Sequence, residues 1–243
     1  ILRHLFERIT MEFSDSDFYP AAFELYLNGR DGTPTPLTFT LNSGATVSIS
    51  GIVDRVDLYK KNSTVYVRIV DYKTGAKEFD LDDLQKGLNT QMLLYLYTIC
   101  RNGKAFIEQN EECAVTDVIP AGIVYLSSSV TSISPVDYQP VEDTEKQVES
   151  ALSRSGILLD DKDILAAMSN SGDAKINFSR KKKKVYATLD EFNDIYCDLE
   201  KTIIKISENL EKGIISAKPI KSSNSPCEYC TSKPICRNVV SGK

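Results

Sequence analysis

The chain has 243 residues, 42% of them hydrophobic, and carries a formal net charge of −5 with an isoelectric point near 5.1. That length is enough for one sizeable core, and the acidic balance argues against a module that binds nucleic acid passively through a basic surface. No run approaches the roughly 18 consecutive apolar residues of a membrane span, so we expect no membrane partner. Because the sequence opens at Ile1 without an initiating Met or a signal core, we expect a cytoplasmic piece of a larger protein.

Apolar residues at helical spacing predict a first helix over residues 1–13. Runs rich in β-branched and aromatic residues predict the strands that follow: 21–27, 37–41, 45–53, 52–59 and Thr64–Tyr72. A long, apolar-rich helix is then predicted over Asp82–Arg101.

The second half of the chain predicts one buried strand and two weaker helices: Ala121–Ser127, 143–154 and 161–169. Thr188 and Glu191 form a capping box, which opens a helix that ends near Lys212, just before Gly213. Strands followed by a helix, another strand and further helices predict an α/β fold in which helices flank a mixed sheet.

Two carboxylates stand out on neighbouring predicted strands, Asp54 in Gly-Ile-Val-Asp and Asp71 in Val-Asp-Tyr-Lys. Since side chains alternate between the two faces of a strand, Asp54 extends one apolar face, and Asp71 and Lys73 extend another. Any even-length loop puts the two carboxylates on the same side of the sheet. A two-residue loop at Asn62–Ser63 would put them directly opposite each other.

Facing carboxylates on a partly buried surface repel each other, and they are costly to bury without a partner. A bound cation resolves both problems, and Mg²⁺ suits a site with few carboxylates, water and phosphate oxygens. Lys73 places an ammonium group on the same face, where it can stabilise negative charge on phosphorus or orient an attacking water. The alternative is structural: Asp71 and Lys73 end a strand in a solvated ion pair, and Asp54 belongs to a turn.

Gln91 and Tyr95 are i, i+4 neighbours on the predicted long helix, on a face that includes Leu84 and Leu88. A glutamine amide in an apolar stripe needs hydrogen-bond partners. Those partners are either a backbone group across the core or, if the two side chains line the metal site, a DNA phosphate.

Three clustered cysteines, Cys227-x-x-Cys230 and then Cys236, are typical of soft-metal ligation. They are one thiolate short of a Cys₄ iron–sulfur cluster or a closed zinc site, and the alternative is three unligated thiols. The remaining cysteines are spread singly, as buried free thiols often are: Cys100, Cys113 and Cys197.

The segments at 51–54, 70–73 and 91–95 resemble motifs of the RecB-like branch of the PD-(D/E)XK nuclease superfamily, and most closely the nuclease domains of the AddB type. The similarity is most specific over residues 51–100, and the tail from Gly213 to Cys236 extends it to nearly the whole chain. It implies a restriction-endonuclease-like core with these site residues: Asp54, Asp71 and the carbonyl of Tyr72 as metal ligands, Lys73 as the catalytic lysine, and Gln91 and Tyr95 as the following motif. Arg55 and Asp57 fit the same motif but alternate to the opposite face, so we interpret them as structural partners or as groups that support the metal ligands from behind.

The resemblance also implies a function: a Mg²⁺- or Mn²⁺-dependent exodeoxyribonuclease that trims single-stranded DNA ends during double-strand-break resection. Its partners would be DNA and an AddA-type helicase–nuclease subunit. Residues 1–221 would be the nuclease domain, truncated at its N-terminus, and 222–243 the tail of a [4Fe–4S] staple whose fourth cysteine lies outside this chain. The cluster is therefore expected to be absent or incomplete here.

His4 is the only histidine, whereas the family usually has a metal-site histidine further upstream. We interpret His4 as a residue of an amphipathic helix, with a ligand role as the alternative, so the isolated chain is expected to lack part of its active site. Two rival functions are a nuclease fold that binds DNA without cutting it and a zinc-stapled interaction domain. The basic run Arg180–Lys184 is either a DNA-backbone contact or a solvated loop.

Overall fold

The computed structural model describes residues 2–73, 79–127, 154–169 and 184–214, together with six positions in the tail: Cys227, Cys230, Thr231, Ser232, Ile235 and Cys236. The side chains of residues 2–5 and of residue 8 lie outside this description. The described strands are β1 (Tyr19–Tyr26), β2 (Leu37–Thr40), β3 (Thr46–Ile49), β4 (Ile52–Lys61), β5 (Thr64–Lys73), β6 (Asp117–Ser127), β7 (Arg154–Leu159) and β8 (Tyr186–Ala187). The described helices are α1 (Leu2–Asp15), α2 (Gln91–Asn102), α3 (Lys104–Glu111), α4 (Lys162–Ala167), α5 (Leu189–Glu211) and a 3₁₀ helix at Leu81–Lys86.

Six of these strands form one mixed sheet in the order β1-β4-β5-β6-β7-β8. The pairs β5–β6 and β7–β8 are parallel, and the other neighbouring strands are antiparallel. Strands β2 and β3 form a separate antiparallel hairpin. The predicted α/β class, with helices flanking a mixed sheet, is confirmed.

The β4–β5 hairpin has a two-residue loop, the case in which Asp54 and Asp71 are expected to lie directly opposite each other. Lys61 pairs with Thr64, which leaves only Asn62 and Ser63 in the turn. Asn62 takes a left-handed φ of 59°, a conformation that asparagine tolerates better than most residues. The carbonyl of Ser63 accepts a hydrogen bond from the amide of Thr116 at 2.8 Å, which ties the turn to the segment that enters β6.

Helix α2 is the central helix of the core. Eight consecutive residues, Met92–Ile99, are buried, because the helix lies over β5 and β6 on one side and contacts α5 on another. The rings of Tyr97 and Tyr196 stack across the α2–α5 contact at 4.4 Å between centroids. A helix that is apolar on all sides is expected only where it is enclosed in this way.

The long helix predicted over Asp82–Arg101 is wrong as a single element. The chain forms the short 3₁₀ helix, leaves it through Gly87 at φ 76° and Asn89 at φ 56°, and begins α2 only at Gln91. Two left-handed residues within three positions cannot continue an α-helix. Leu84 and Leu88 therefore do not share a helix face with Gln91.

Other predicted elements have mixed outcomes. The capping box of Thr188 and Glu191 is present and opens α5, and the helix predicted over 161–169 is confirmed as α4. The helix predicted near 143–154 lies outside the described residues except for Arg154, which begins β7. Strand β7 was not predicted, and it contains Gly156, a residue that weakens strands. In the fold it is required there, since a Cβ would come within 2.0 Å of the carbonyl oxygen of Ile123 on β6.

Two short elements, α3 and β8, were also missed, because eight and two residues carry too little periodicity to be recognised. In the described part of the chain, no helix combines the length and the apolar character that crossing a membrane requires.

Candidate active site

The two carboxylates meet at one end of the β4–β5 hairpin. The last pair of the ladder is Arg55 with Val70, and the same register continued by one residue sets Asp54 opposite Asp71. Asp71 is only 3% exposed and Asp54 is half-buried. Both belong to strands, so the alternative that assigned Asp54 to a turn is wrong.

Lys73 lies on the same face and contacts Asp71. Its Nζ is 2.6 Å from Asp71 Oδ2, with side chains that are 29% and 5% exposed, respectively. An ion pair with so little exposure of the carboxylate is not the solvated pair of the structural alternative. Asp71 and Lys73 instead form a largely buried ion pair at the end of β5.

Tyr125 on β6 is a member of this site that the sequence did not reveal. The parallel β5–β6 register aligns it with Asp71, and Lys73 Nζ lies 5.9 Å from the centroid of its ring. Burial, and after it the charge of Asp71, raises the pKa of the Tyr125 phenol, so the phenol stays protonated at neutral pH. Strand β6 was predicted, but its parallel partner and register depend on long-range packing, and no local pattern encodes them.

Tyr72 connects the two carboxylate strands through its backbone. Its amide donates a hydrogen bond to Asp54 Oδ2 at 3.0 Å, which fixes one oxygen of that carboxylate toward β5. The carbonyl of the same residue, which the family resemblance implicates as a ligand, belongs to the stretch between Asp71 and Lys73.

Gln91 and Tyr95 lie on the first turns of α2 and contact each other, with Gln91 Nε2 3.0 Å from the Tyr95 hydroxyl. Gln91 is exposed, so its amide is neither in an apolar stripe nor bonded across the core. The ring of Tyr95 is buried against Gly51, where a Cβ would come within 2.6 Å of the ring and of its hydroxyl. Gly51 thus lets α2 approach the start of β4, at the same end of the sheet as Asp54.

The opposite face of the hairpin carries a buried cluster of charges, which we call the arginine cluster and define by these residues: Glu12, Arg55, Asp57, Arg68 and Arg154. Arg55 and Asp57 form two contacts of 2.9 Å, and Arg68 Nη2 is 2.7 Å from Asp57 Oδ2. Glu12 of α1 contacts all three arginines. Burial favours the neutral form of Glu12, but the three arginines outweigh it and lower its pKa. Arg55 and Asp57 are thus partners in a buried ion-pair network, which agrees with the structural role expected for them.

The donor set at the end of the hairpin suits a hard divalent cation. Two carboxylates beside a backbone carbonyl leave room for water and phosphate oxygens, as Mg²⁺ requires. Within the described residues, no group of three or more His, Cys, Asp or Glu side chains lies close enough to hold a metal ion. The prediction for His4 lies outside the described side chains.

Within the described part of the tail, Cys227, Cys230 and Cys236 do not lie close enough together to form a metal site. Cys227 is half-buried, whereas Cys230 and Cys236 are exposed, and the Cys236 amide closes a turn onto the Ser232 carbonyl at 2.9 Å. Burial of its sulfur raises the pKa of Cys100 to about 12, which makes it a poor source of a fourth thiolate.

Of the basic run predicted at 180–184, only Lys184 lies within the described residues. It forms an ion pair with Glu191, at the start of α5.

A family model described as the PD-(D/E)XK nuclease superfamily matches residues 1–237. The chain therefore belongs to that superfamily, and the predicted restriction-endonuclease-like core is confirmed.

Its curated relatives include proteins that are each named as a subunit of an ATP-dependent helicase/deoxyribonuclease. The one from Clostridium tetani is 34% identical over 98% of this chain and 21% of its own length. Those from Clostridium acetobutylicum and Acetivibrio thermocellus are 31% and 30% identical, over 98% and 91% of this chain and 21% and 20% of their own lengths, respectively. The chain thus spans about a fifth of the relatives that it matches.

The contact between Gly51 and Tyr95 yields a test of the site's architecture. Gly51→Ala should lower the free energy of unfolding by about 1–3 kcal/mol, because the added methyl group forces the buried ring out of its position. Chemical denaturation measures this change, and Ser50→Ala, at the exposed neighbouring position, is the control. Equal stability of the Gly51→Ala variant and wild type would show that Tyr95 does not pack on this glycine.

Proposed function

We propose that this chain is a metal-dependent deoxyribonuclease domain in which Asp54, Asp71 and the carbonyl of Tyr72 hold Mg²⁺ or Mn²⁺. One observation carries the proposal: two carboxylates face each other at one end of the hairpin, with the Lys73 ammonium 2.6 Å from Asp71. Membership of a nuclease superfamily supplies the reaction class.

The proposed chemistry is hydrolysis of a phosphodiester. Water oxygen bonds to phosphorus, the ester bond to the leaving sugar oxygen breaks, and that oxygen takes up a proton. A bound divalent cation supplies charge stabilisation to the phosphoryl oxygens and a more acidic water. Lys73 would donate a hydrogen bond to a phosphoryl oxygen on which negative charge develops. Asp71 orients the ammonium through their 2.6 Å contact.

Gln91 and Tyr95 are proposed to bind a backbone phosphate of the DNA. The exposed amide of Gln91 is available to a ligand at this end of the sheet, and its bond to the Tyr95 hydroxyl orients it. Tyr95 in turn is held by its contact with Gly51.

The name that the relatives share, which describes part of a helicase/deoxyribonuclease, supports a wider proposal. The domain would act as an exonuclease on single-stranded ends during double-strand-break resection, within an ATP-dependent complex with an AddA-type subunit. This role on chromosomal DNA would place it in the cytoplasm of a bacterial cell. Residues 1–221 are the proposed nuclease domain and 222–243 its iron–sulfur tail.

Asp71→Ala or Lys73→Ala, made in the full-length protein, should reduce cutting of one DNA strand by about 100-fold or more. ATP-driven unwinding should continue, because these groups lie at the end of the hairpin and not in its apolar core. Labelled DNA, incubated with Mg²⁺ or with chelator, gives both readouts.

Lys61→Ala and Asp163→Ala are the matched controls. That pair is also 2.6 Å apart but lies at the hairpin-turn end of β4, and both variants should cut normally. Normal cutting of both strands by the Asp71→Ala or Lys73→Ala protein would refute the assignment, and DNA binding without cutting by the wild type would favour a binding module.

For the tail, we propose that Cys227, Cys230 and Cys236 supply three ligands of a [4Fe–4S] cluster whose fourth cysteine lies outside this chain. A Cys₄ cluster needs that fourth thiolate. The other cysteines of this chain belong to other elements: Cys100 lies in α2, Cys113 in the loop before β6 and Cys197 in α5.

The full-length protein, purified without air, should contain iron and sulfide and should lose both in Cys230→Ser but not in Cys197→Ser. Iron retained by the Cys230→Ser protein would contradict the assignment, and zinc in place of iron would support a zinc staple.

A further inference from the structure

The end of β5 is held to β4 by side chains. The ladder between the two strands stops at Arg55 and Val70, two residues before Tyr72. Beyond it, Asp54 Oδ2 accepts the Tyr72 amide at 3.0 Å, and Arg55 Nη1 donates to the Tyr72 hydroxyl at 2.9 Å. Tyr72 is therefore held by adjacent β4 residues that project to opposite faces of the sheet.

Arg55 is itself fixed in place. Its side chain has no exposed surface, and it contacts Asp57 at 2.9 Å and Glu12 at 3.1 Å. A buried guanidinium with two carboxylate partners cannot swing away without leaving charges unpaired, which is strongly unfavourable. The remaining donor, Nη1, thus holds the phenol of Tyr72 at a defined point.

We propose that Arg55 is a positioning residue for the metal centre: by holding the Tyr72 phenol on the far face of the sheet, it fixes the Tyr72 main chain and, through it, Asp54. The inference rests on the proposed function, because Asp54, Asp71 and the Tyr72 carbonyl are the ligands that it positions. Groups that orient metal ligands from behind contribute to affinity although they never touch the ion. The arginine cluster then acts on the site across the thickness of the sheet.

Tyr72→Phe is the sharpest test, because it removes only the hydroxyl that Arg55 contacts. Calorimetric titration of the chain with Mn²⁺, without DNA, should show binding weakened about 3- to 10-fold. This is less than the full worth of a hydrogen bond to a charged group, because the lost bond acts on the ion only through the Tyr72 main chain. In the full-length protein, the Mg²⁺ concentration for half-maximal cutting should rise by the same factor, while the rate at saturating Mg²⁺ changes much less.

Tyr66→Phe is the matched control. Tyr66 lies on the same strand, six residues earlier on the same face, and its ring lies 6.0 Å, between centroids, from that of Tyr59. This variant should bind Mn²⁺ as wild type does, and the unfolding transition of each variant shows that it is folded.

A second variant tests the route from Arg55 to Tyr72. Arg55→Lys replaces the planar guanidinium fork with a compact ammonium, which does not reproduce the geometry of the contacts to Glu12, Asp57 and the Tyr72 hydroxyl, so Mn²⁺ binding should weaken at least as much as in Tyr72→Phe. Adding Tyr72→Phe to Arg55→Lys should cause little further loss, because the contact is already broken. If the Arg55→Lys chain does not fold, Tyr72→Phe alone decides the question.

Two results would overturn the inference. If Tyr72→Phe binds Mn²⁺ as tightly as wild type while Asp71→Ala loses binding, Arg55 does not position the centre, and the proposed function stands. If Asp71→Ala also binds Mn²⁺ normally, the metal is not held here, and the proposed function fails together with the inference.

Discussion

The register of the β4–β5 hairpin is the constraint on which the site depends. With two residues in the turn, Asp54 comes opposite Asp71 and both project to one face. A shift by one residue would send each side chain of a strand to the other face. It would separate the carboxylates and, on the reverse side, break the contact between Asp57 and Arg68. One turn therefore sets both the proposed metal face and the arginine cluster behind it.

The two faces treat charge in different ways. Behind the hairpin, each carboxylate of the arginine cluster contacts more than one arginine, and these contacts disfavour a slipped register, because a buried charge without its partner costs about 3–5 kcal/mol. On the other face, two carboxylates, Asp54 and Asp71, meet beside the ammonium of Lys73. Tyr72 links the faces, since its amide bonds to Asp54 and its hydroxyl to Arg55.

Features that depend on neighbours in sequence could be predicted: the facing carboxylates of one hairpin, the capping box of Thr188 and the α/β class. Features that depend on distant packing could not. The alignment of Tyr125 with Asp71 arises from a parallel pairing of two strands separated by more than forty residues. The break at Gly87 was not predicted, because apolar residues continue past it in the sequence. The left-handed φ of Gly87 ends the 3₁₀ helix.

The most direct test of the central claim is anomalous diffraction from crystals of the chain soaked in Mn²⁺, which reports where the ion lies without relying on activity. The account predicts a single strong peak within coordination distance of carboxylate oxygens from both Asp54 and Asp71, next to the Tyr72 carbonyl. A peak elsewhere, with Asp71 still paired to Lys73, would contradict it.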